Sequence, residues 1–323
     1  MKPGQKVFYV HLQILNPMKP KILLTETLHP LAIERAKEFA DVTEAYGIKP
    51  DELIQKIPDY EAIVVRSGTK VTAEVIAAGK KLKIIGRAGV GLDNIDMDAA
   101  KKHKLEIANS PEASTISVAE HAFALLLSTA RWIPQAHASM MKGEWDRKNF
   151  NGTELSEKTL GIIGFGRIGR EVAIKAKAFN MNILTYDPKG THEAAAEYGA
   201  KLVEVEELLA KSDFITLHLP SLPETKKFIN SERIGLMKKN AILVNTSRGS
   251  VIDEAALYDA LKNKKIKAAA LDVYEQEPPK ESPLLTLPNI VLTPHQAGST
   301  DEAQRRAGTV VIDKIHNFFR EGK

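Results

Sequence analysis

The chain has 323 residues, a formal net charge of +4 at pH 7, 43% hydrophobic and 27% charged residues, which indicates a soluble globular protein of two domains. Because it contains no cysteine, disulfides, thiolate catalysis and cysteine-ligated metals are excluded, and no metal site is expected. No stretch has the length of a membrane span or the character of a signal peptide, and no basic run is interleaved with aromatics, so we expect a cytoplasmic protein that binds neither membranes nor nucleic acids.

The first third of the chain alternates short apolar runs with amphipathic stretches, which is the rhythm of a parallel α/β sheet. Apolar runs that each precede a polar or glycine-rich turn lie at 22–24, 62–65 and 83–85. We expect residues 1–112, with a returning helix in 300–323, to form a discontinuous, flavodoxin-like substrate-binding domain. Residues 1–18 precede its first strand as either an added strand or a poorly ordered tail.

A long helix is predicted at residues 113–130, because apolar side chains recur there at helical spacing and charge is nearly absent after His121. We expect this helix to begin a second domain, 113–299, and to connect it to the first. Its apolar surface is larger than one domain needs, which predicts a homodimer with this helix at the interface and leaves further pairing into a tetramer open.

The segment from Thr159 to Arg170 runs from a short apolar strand into the pattern G-x-G-x-x-G. In such a segment Gly164 permits a tight turn, Gly166 lets a pyrophosphate approach the backbone, and Gly169 lets the next helix pack closely on its strand. The N-terminus of that helix then presents N–H groups to the diphosphate. These features predict a dinucleotide site.

The strand that follows this helix ends at Asp187, at about the 20-residue spacing expected of the carboxylate that receives the adenosine ribose hydroxyls. A carboxylate repels a 2′-phosphate, so Asp187 favours NAD over NADP, although Lys189 lies nearby. Six apolar runs complete a predicted Rossmann sheet, and they begin at Leu160, Ile183, Phe214, Ile242, Ala268 and Ile290.

Three polar residues, Arg248, Glu277 and His295, each lie in a loop just past one of these strands. Ligands bind beyond the carboxyl ends of such strands, so we expect the three side chains to converge. Oxidation of a 2-hydroxy acid needs a guanidinium for the carboxylate and carbonyl oxygens, and a base for the hydroxyl proton as hydride leaves C2. Glu277 held against His295 would fix its tautomer and raise its pKa. The sequence suggests no acidic partner for His218, which is therefore expected to have a structural or cofactor-lining role.

Four segments, 164–169, 245–249, 271–278 and 293–295, resemble the D-isomer-specific 2-hydroxyacid dehydrogenases, and the similarity runs from about Lys21 to the end of the chain. The resemblance implies two Rossmann-like doubly wound parallel-sheet α/β domains with a cleft between them, and NAD as cofactor. It implies that Arg248, Glu277 and His295 are catalytic. The residues that it places around the cofactor are Val90, Gly164, Gly166, Arg167, Ile168, Gly169, Asp187, Leu219, Thr246, Ser247, Asp272, Ala297 and Gly298.

Within that family, segments 65–72, 86–94 and 143–148 are most similar to members that oxidise 3-phospho-D-glycerate in serine biosynthesis. The resemblance implies that a cationic clamp for the substrate phosphate is formed by Arg66, Arg87 and Arg147. It also implies that Ser67 and Gly68 offer backbone N–H groups to the substrate carboxylate.

Two alternatives stay open for the activity. Family members that reduce glyoxylate or hydroxypyruvate share all three catalytic residues and differ mainly in the substrate pocket. Related transcriptional co-repressors carry the same residues in a binding protein that senses NAD. Because the chain ends directly after its closing helix, the C-terminal regulatory domain of longer members is expected to be absent.

Overall fold

Residues 19–322 are described by the computed structural model of the chain, so the expectation for residues 1–18 lies outside the described part. The chain divides into two compact units. One takes the described residues up to Ser110 together with those from Gly308 onward, and the other is Pro111–Ala307. Each unit is built on an all-parallel sheet with interspersed helices, so the predicted fold class, two Rossmann-like α/β domains, is confirmed.

Five short strands form the sheet of the first unit: β1 (Lys21–Leu24), β2 (Asp41–Glu44), β3 (Ala62–Val65), β4 (Ile84–Arg87) and β5 (Glu106–Asn109). They are parallel and lie in the order β2-β1-β3-β4-β5, the flavodoxin-like doubly wound order. The central strands bury Leu23, Ile63 and Ile85 completely, which is why their sequences are continuous apolar runs. The edge strands β2 and β5 begin with acidic residues and carry no such run.

The helices between these strands are α1 (Pro30–Phe39), α2 (Pro50–Lys56), α3 (Ala73–Ala78) and α4 (Met97–Lys102). Proline at the start of α1 and α2 suits a first helical turn, where its missing N–H costs no hydrogen bond. The Asp96 carboxylate accepts the amide of Ala99 at 2.9 Å and caps α4.

Seven strands form the sheet of the second unit: β6 (Thr159–Ile163), β7 (Asn182–Tyr186), β8 (Ala200–Leu202), β9 (Phe214–Leu217), β10 (Ile242–Asn245), β11 (Ala268–Leu271) and β12 (Ile290–Leu292). Their order is β12-β11-β10-β9-β6-β7-β8, a Rossmann order whose topological switch point lies between β6 and β9. The prediction of six strands missed β8, because this three-residue edge strand has a lysine at its centre.

The helices of this unit are α5 (Thr115–Ala130), α6 (Ile133–Met141), α7 (Arg167–Ala178), α8 (His192–Ala196), α9 (Val205–Lys211), α10 (Ser231–Gly235) and α11 (Glu254–Lys262). The apolar residues of α5 lie mostly in the core of this unit, where Ala122 and Leu126 are buried. Phe123 of the same helix stacks on Phe179 with ring centroids 5.4 Å apart.

The last helix, α12 (Asp301–Arg320), contributes its first residues to the second unit and the rest to the first. Within the first unit it lies against α1, where Arg35 forms an ion pair with Asp313 at 2.8 Å and Phe39 stacks on His316. Among residues 19–322, no helix is both long and apolar enough to cross a membrane.

Candidate active site

The glycine-rich turn lies between β6 and α7, at the topological switch point of the second sheet. Gly164 has φ of +94°, and a Cβ there would lie 2.5 Å from the carbonyl oxygen of His218, so glycine is required at this position. A Cβ at Gly166 would have no heavy atom within 4 Å, which leaves open space in front of the backbone. The first amides of α7 face that space without intrahelical acceptors, as a diphosphate site needs.

Asp187 follows β7 and holds the glycine-rich turn. Its Oδ2 accepts the amide of Phe165 at 2.8 Å, and its Oδ1 accepts the amide of Lys189 at 2.9 Å. The predicted ribose-binding carboxylate therefore lies directly beside the turn. Each carboxylate oxygen keeps a second lone pair with which to accept a hydroxyl.

At the same edge of the sheet, two buried polar atoms have no hydrogen-bond partner among the described residues: Nδ1 of His218, after β9, and Oγ1 of Thr246, after β10. Burial lowers the pKa of His218 to about 3, so its imidazole is neutral, and its Nε2 lies 3.0 Å from Oγ1 of Thr216. Buried polar atoms without partners are costly, so a bound polar molecule such as NAD would suit both. Leu219, also predicted to line the cofactor, is buried beside Gly164.

The histidine and glutamate predicted to form the acid–base pair are in contact. Nδ1 of His295 lies 2.7 Å from Oε2 of Glu277. This hydrogen bond raises the pKa of His295, against the opposing effects of burial and of the nearby Arg248 charge. Burial works to raise the pKa of Glu277, but the hydrogen bond and charge of His295 outweigh it and lower that pKa. The side chains are 48% and 40% exposed, so the pair is open to a substrate.

Asp272, which is fully buried at the end of β11, organises the loop that carries His295. Its carboxylate accepts the hydroxyl of Thr293 at 2.6 Å and the amides of Gln296 and Ala297 at 2.9 Å each. Its backbone carbonyl accepts the amide of His295, whose φ is +49°. A left-handed backbone at a non-glycine residue is unfavourable, so these bonds hold His295 in place.

His121 of α5 is a residue of this site that the sequence analysis did not identify. Its Nε2 lies 3.1 Å from Oγ1 of Thr293 and 3.4 Å from Oδ1 of Asp272. Because the Thr293 hydroxyl proton is donated to Asp272, Nε2 of His121 must carry the proton and donate it. The sequence signal that could have identified His121 was the presence of a histidine on the apolar face of a core helix.

Arg248 stands in a loop held by Asn245, the last residue of β10. Oδ1 of Asn245 accepts both the amide and the hydroxyl of Ser247, and its Nδ2 donates to the carbonyl of Arg248 at 2.9 Å. A Cβ at Gly249 would collide with the backbone of Tyr274, so glycine lets this loop lie against the loop that leads to Glu277. Arg248, Glu277 and His295 thus follow β10, β11 and β12 at one edge of the sheet.

The remaining residues of the predicted cofactor set lie in both units. Ile168 is half-buried in the first turn of α7, and Arg167 beside it is 3.4 Å from Glu112. A Cβ on Gly298 would contact Ser114. Val90 belongs to the first unit, where its carbonyl accepts Nδ2 of Asn109.

In the first unit, Arg66 follows β3 and Arg87 ends the neighbouring β4, so both lie at the carboxyl edge of that sheet. The loop after β3 is held by Glu26, whose carboxylate accepts the amides of Arg66, Gly68 and Thr69 at 2.8 to 3.0 Å. The Gly68 amide predicted to bind the substrate carboxylate therefore already has an acceptor. Glu26 had no sequence signal, because the loop lies 40 residues further along the chain.

Two further expectations concern Ser67 and Arg147. Ser67 is exposed at the tip of the loop held by Glu26. Arg147 belongs to the second unit and is exposed in the segment after α6. No group of three or more histidine, aspartate or glutamate side chains within residues 19–322 is arranged to hold a metal ion.

Comparison with known proteins identifies the family of the chain. A family model described as "D-isomer specific 2-hydroxyacid dehydrogenase, NAD binding domain" matches residues 123–297. The chain is 56% identical over 301 residues to a D-3-phosphoglycerate dehydrogenase of Methanocaldococcus jannaschii, an alignment that covers 93% of this chain and 57% of that protein. It is 49% identical over 283 residues to a hydroxypyruvate reductase of Thermotoga maritima, covering 86% of this chain and 91% of that protein.

A solved structure of a similar protein is that of D-lactate dehydrogenase from Aquifex aeolicus, complexed with NAD and lactic acid. It is 31% identical, superposes with a TM-score of 0.84, and the match covers 93% of this chain and 96% of that one. The chain spans 57% of the length of the Methanocaldococcus jannaschii relative.

Proposed function

Because the chain belongs to the family of D-isomer-specific 2-hydroxyacid dehydrogenases, we propose that it interconverts a D-2-hydroxy acid and its 2-oxo acid with NAD. The observation that carries this proposal is the 2.7 Å contact between His295 and Glu277, at the strand edge that also carries Arg248 and the glycine-rich turn. A paired, half-exposed histidine at that edge has the geometry of a general acid–base.

The proton chemistry follows from which imidazole nitrogen is engaged. Nδ1 of His295 is hydrogen-bonded to Glu277, so Nε2 is the nitrogen that takes the hydroxyl proton of the substrate during oxidation. The Glu277 carboxylate then stabilises the imidazolium that forms. In the reverse direction, Nε2 returns that proton to the oxygen on C2. NAD held at the glycine-rich turn would supply the hydride acceptor for C2.

The role of Arg248 is to bind and orient the substrate. A guanidinium binds a carboxylate through two parallel hydrogen bonds and also polarises a neighbouring carbonyl oxygen. Its loop is held by Asn245, so the side chain is positioned before substrate arrives. We assign the ribose to Asp187, the diphosphate to the turn at Gly164 and Gly166, and the preference for NAD over NADP to the charge of Asp187.

For the substrate, we propose 3-phospho-D-glycerate, which is oxidised to 3-phosphohydroxypyruvate for serine biosynthesis. Relatives named D-3-phosphoglycerate dehydrogenase, 56% and 52% identical, support this choice. The neighbouring positions of Arg66 and Arg87 at one sheet edge also support it, because a phosphate dianion needs clustered cations. We also assign Arg147 to the substrate phosphate and the backbone N–H of Ser67 to the substrate carboxylate.

A second candidate substrate is hydroxypyruvate, which the 49% identical Thermotoga maritima relative is named for. This candidate would use the same acid–base pair without a phosphate site. The two candidates differ in whether Arg66 favours the phosphorylated acid over the unphosphorylated one.

We further propose a cytoplasmic homodimer. Four large apolar side chains, those of Ile133, Met140, Met141 and Trp145, stay exposed on and just after α6, where Met141 is 74% and Trp145 is 75% exposed. Because most of the apolar face of α5 is buried in the core of the second unit, we place the dimer interface on α6 and the segment that follows it. A monomeric mass in solution would contradict this.

The test of the activity is NAD reduction with 3-phospho-D-glycerate, D-glycerate, D-lactate and glycolate at alkaline pH. His295→Ala should lower turnover by roughly 10²–10⁴-fold with NAD affinity nearly unchanged, whereas the exposed His103→Ala should change neither. Arg66→Gln should reduce kcat/KM for the phosphorylated acid and leave that for D-glycerate nearly unchanged. Equal losses on both acids would favour the hydroxypyruvate assignment, and full turnover by His295→Ala would refute the acid–base role.

A further inference from the structure

A cavity of about 770 Å³ opens in the second unit at the amino-terminal edge of its sheet. Among its lining residues, Lys158, Asp213, Lys267 and Asn289 each come immediately before a strand. Since all strands of the sheet are parallel, this edge is the opposite end from the loop of His295. The cavity is therefore separate from the dehydrogenase site.

The lining of this cavity carries an excess of positive charge. Its five lysines are Lys158, Lys239, Lys262, Lys264 and Lys267. The one carboxylate in the lining, that of Asp213, is already engaged by Nζ of Lys238 at 2.8 Å and by the amide of Thr159 at 2.9 Å. None of the five lysines forms an ion pair with a carboxylate within residues 19–322. The Asp213 carboxylate, whose pKa the charge of Lys158 also helps to lower, leaves the lining with an excess of positive charge. Like charges gathered around a concave surface attract an anion.

The lining of the cavity also includes aromatic and apolar side chains. Trp132 lies in the wall, and Nζ of Lys267 stands 5.9 Å from its ring centroid while donating to Oγ1 of Thr153 at 2.6 Å. Phe214 and Ile266 in the lining are buried. Burial also lowers the pKa of Lys267, so this ammonium is partly withdrawn from water and would gain most from a bound anion.

We propose that this cavity is a second ligand site, which takes an organic polyphosphate with a flat, apolar body, the chemistry of a nucleoside di- or triphosphate. Lysine ammonium groups bind phosphates as point charges, and an indole wall accepts a planar ring by stacking. The volume lies in the range of sites that enclose small organic ligands. A simple anion would leave the aromatic wall unused, and an uncharged ring would leave the lysines without counter-charges.

The experiment measures binding through Trp132. The chain has two tryptophans, so Trp145→Phe leaves Trp132 as the only indole reporter. Titrations are made without NAD, because Trp132 lines the cavity at the opposite edge of the sheet from the glycine-rich turn and its fluorescence reports binding in the cavity. The probes are ATP, adenosine and inorganic pyrophosphate. We expect a saturable change in Trp132 fluorescence with ATP, at least tenfold tighter than with adenosine or pyrophosphate and weaker at high salt.

The charge requirement is tested by the double variant Lys239→Glu with Lys264→Glu, both exposed lysines of the cavity rim. We expect ATP binding to weaken at least tenfold. The matched control is Lys49→Glu with Lys80→Glu, which makes the same change of net charge on exposed positions of the first unit. Binding that is unaffected by the rim variant, equally affected by the control, or equally tight for pyrophosphate alone would overturn the proposal. Because the readout is fluorescence, the outcome is independent of whether the chain oxidises 3-phospho-D-glycerate.

Discussion

Nδ1 of His295 lies 2.7 Å from Oε2 of Glu277, and each side chain changes the protonation of the other. The hydrogen bond to Glu277 raises the pKa of His295, and the His295 charge helps to lower the pKa of Glu277. The two groups come from separate loops, after β11 and β12, that Asp272 and Tyr274 connect by hydrogen bonds. The pair is thus positioned by the strand ends rather than by a local motif.

Replacing Glu277 with glutamine should shift the pH profile of the reaction. Oxidation needs neutral His295, so activity falls as pH drops through its pKa, which Glu277 keeps above the ordinary value. Without that carboxylate, burial and the Arg248 charge lower the pKa of His295 against the Asp272 charge alone, so the acid limb of kcat/KM for oxidation should move to lower pH. In the reduction direction, which needs protonated His295, activity should be lost at lower pH than with the unsubstituted chain.

The pH-independent rate of Glu277→Gln should also fall, by roughly 10–10²-fold. This loss is a part of the rate gain of about 10²–10⁴-fold that general acid–base catalysis contributes in total. The measurement is kcat/KM against pH in both directions. Glu275→Gln is the matched control, because Glu275 is exposed two residues away and faces Lys227 instead. An unmoved acid limb in Glu277→Gln would show that another group titrates.

Asp187→Asn should weaken the discrimination between NAD and NADP. The amide oxygen retains an acceptor for the Phe165 amide, so the turn should survive, while the negative charge that repels a 2′-phosphate is removed. We expect the Kd of NAD to rise about tenfold, near 1.4 kcal/mol, and the Kd of NADP to fall or stay level. Calorimetric titration of both cofactors is the measurement, with the exposed Asp259→Asn as control. A rise of the Kd by the same factor for both cofactors would indicate that the substitution disrupts the glycine-rich turn itself.

The parts of this molecule that the sequence predicted are those in which one local segment carries the whole signal. The central strands are continuous apolar runs, and within the glycine-rich turn a Cβ at Gly169 would collide with the carbonyl oxygen of Gly164, five residues earlier. What escaped prediction depends on contacts between distant segments. Glu26 binds amides 40 to 43 residues further along the chain, and His121 reaches a threonine 172 residues away. No local pattern encodes such partners.

Glu26→Ala should raise KM for the hydroxy acid with a smaller effect on kcat. The variant removes the acceptor of three loop amides, and a hydrogen bond to a charged group contributes about 1.5–3 kcal/mol. If substrate binding must supply the free energy of one such hydrogen bond to order the loop, KM should rise by about tenfold or more. Glu38→Ala, an exposed glutamate of α1, is the control, and NAD affinity should not change in either variant. A fall in kcat at constant KM would instead indicate that Glu26 acts after substrate has bound.

Thr293→Val should disorder the loop of His295 although the two side chains have nearly the same shape. The hydroxyl of Thr293 donates to buried Asp272 and accepts from His121, so valine leaves both groups without that partner. An unsatisfied buried group costs about 1–3 kcal/mol, which we expect as a loss in the free energy of unfolding measured by urea denaturation. Thr293→Ser keeps the hydroxyl and should lose much less. Because His295 follows two residues later in a left-handed backbone conformation, turnover should fall in Thr293→Val beyond the loss in Thr293→Ser. Equal stability and equal turnover of the valine and serine variants would show that neither His121 nor Asp272 depends on this hydroxyl.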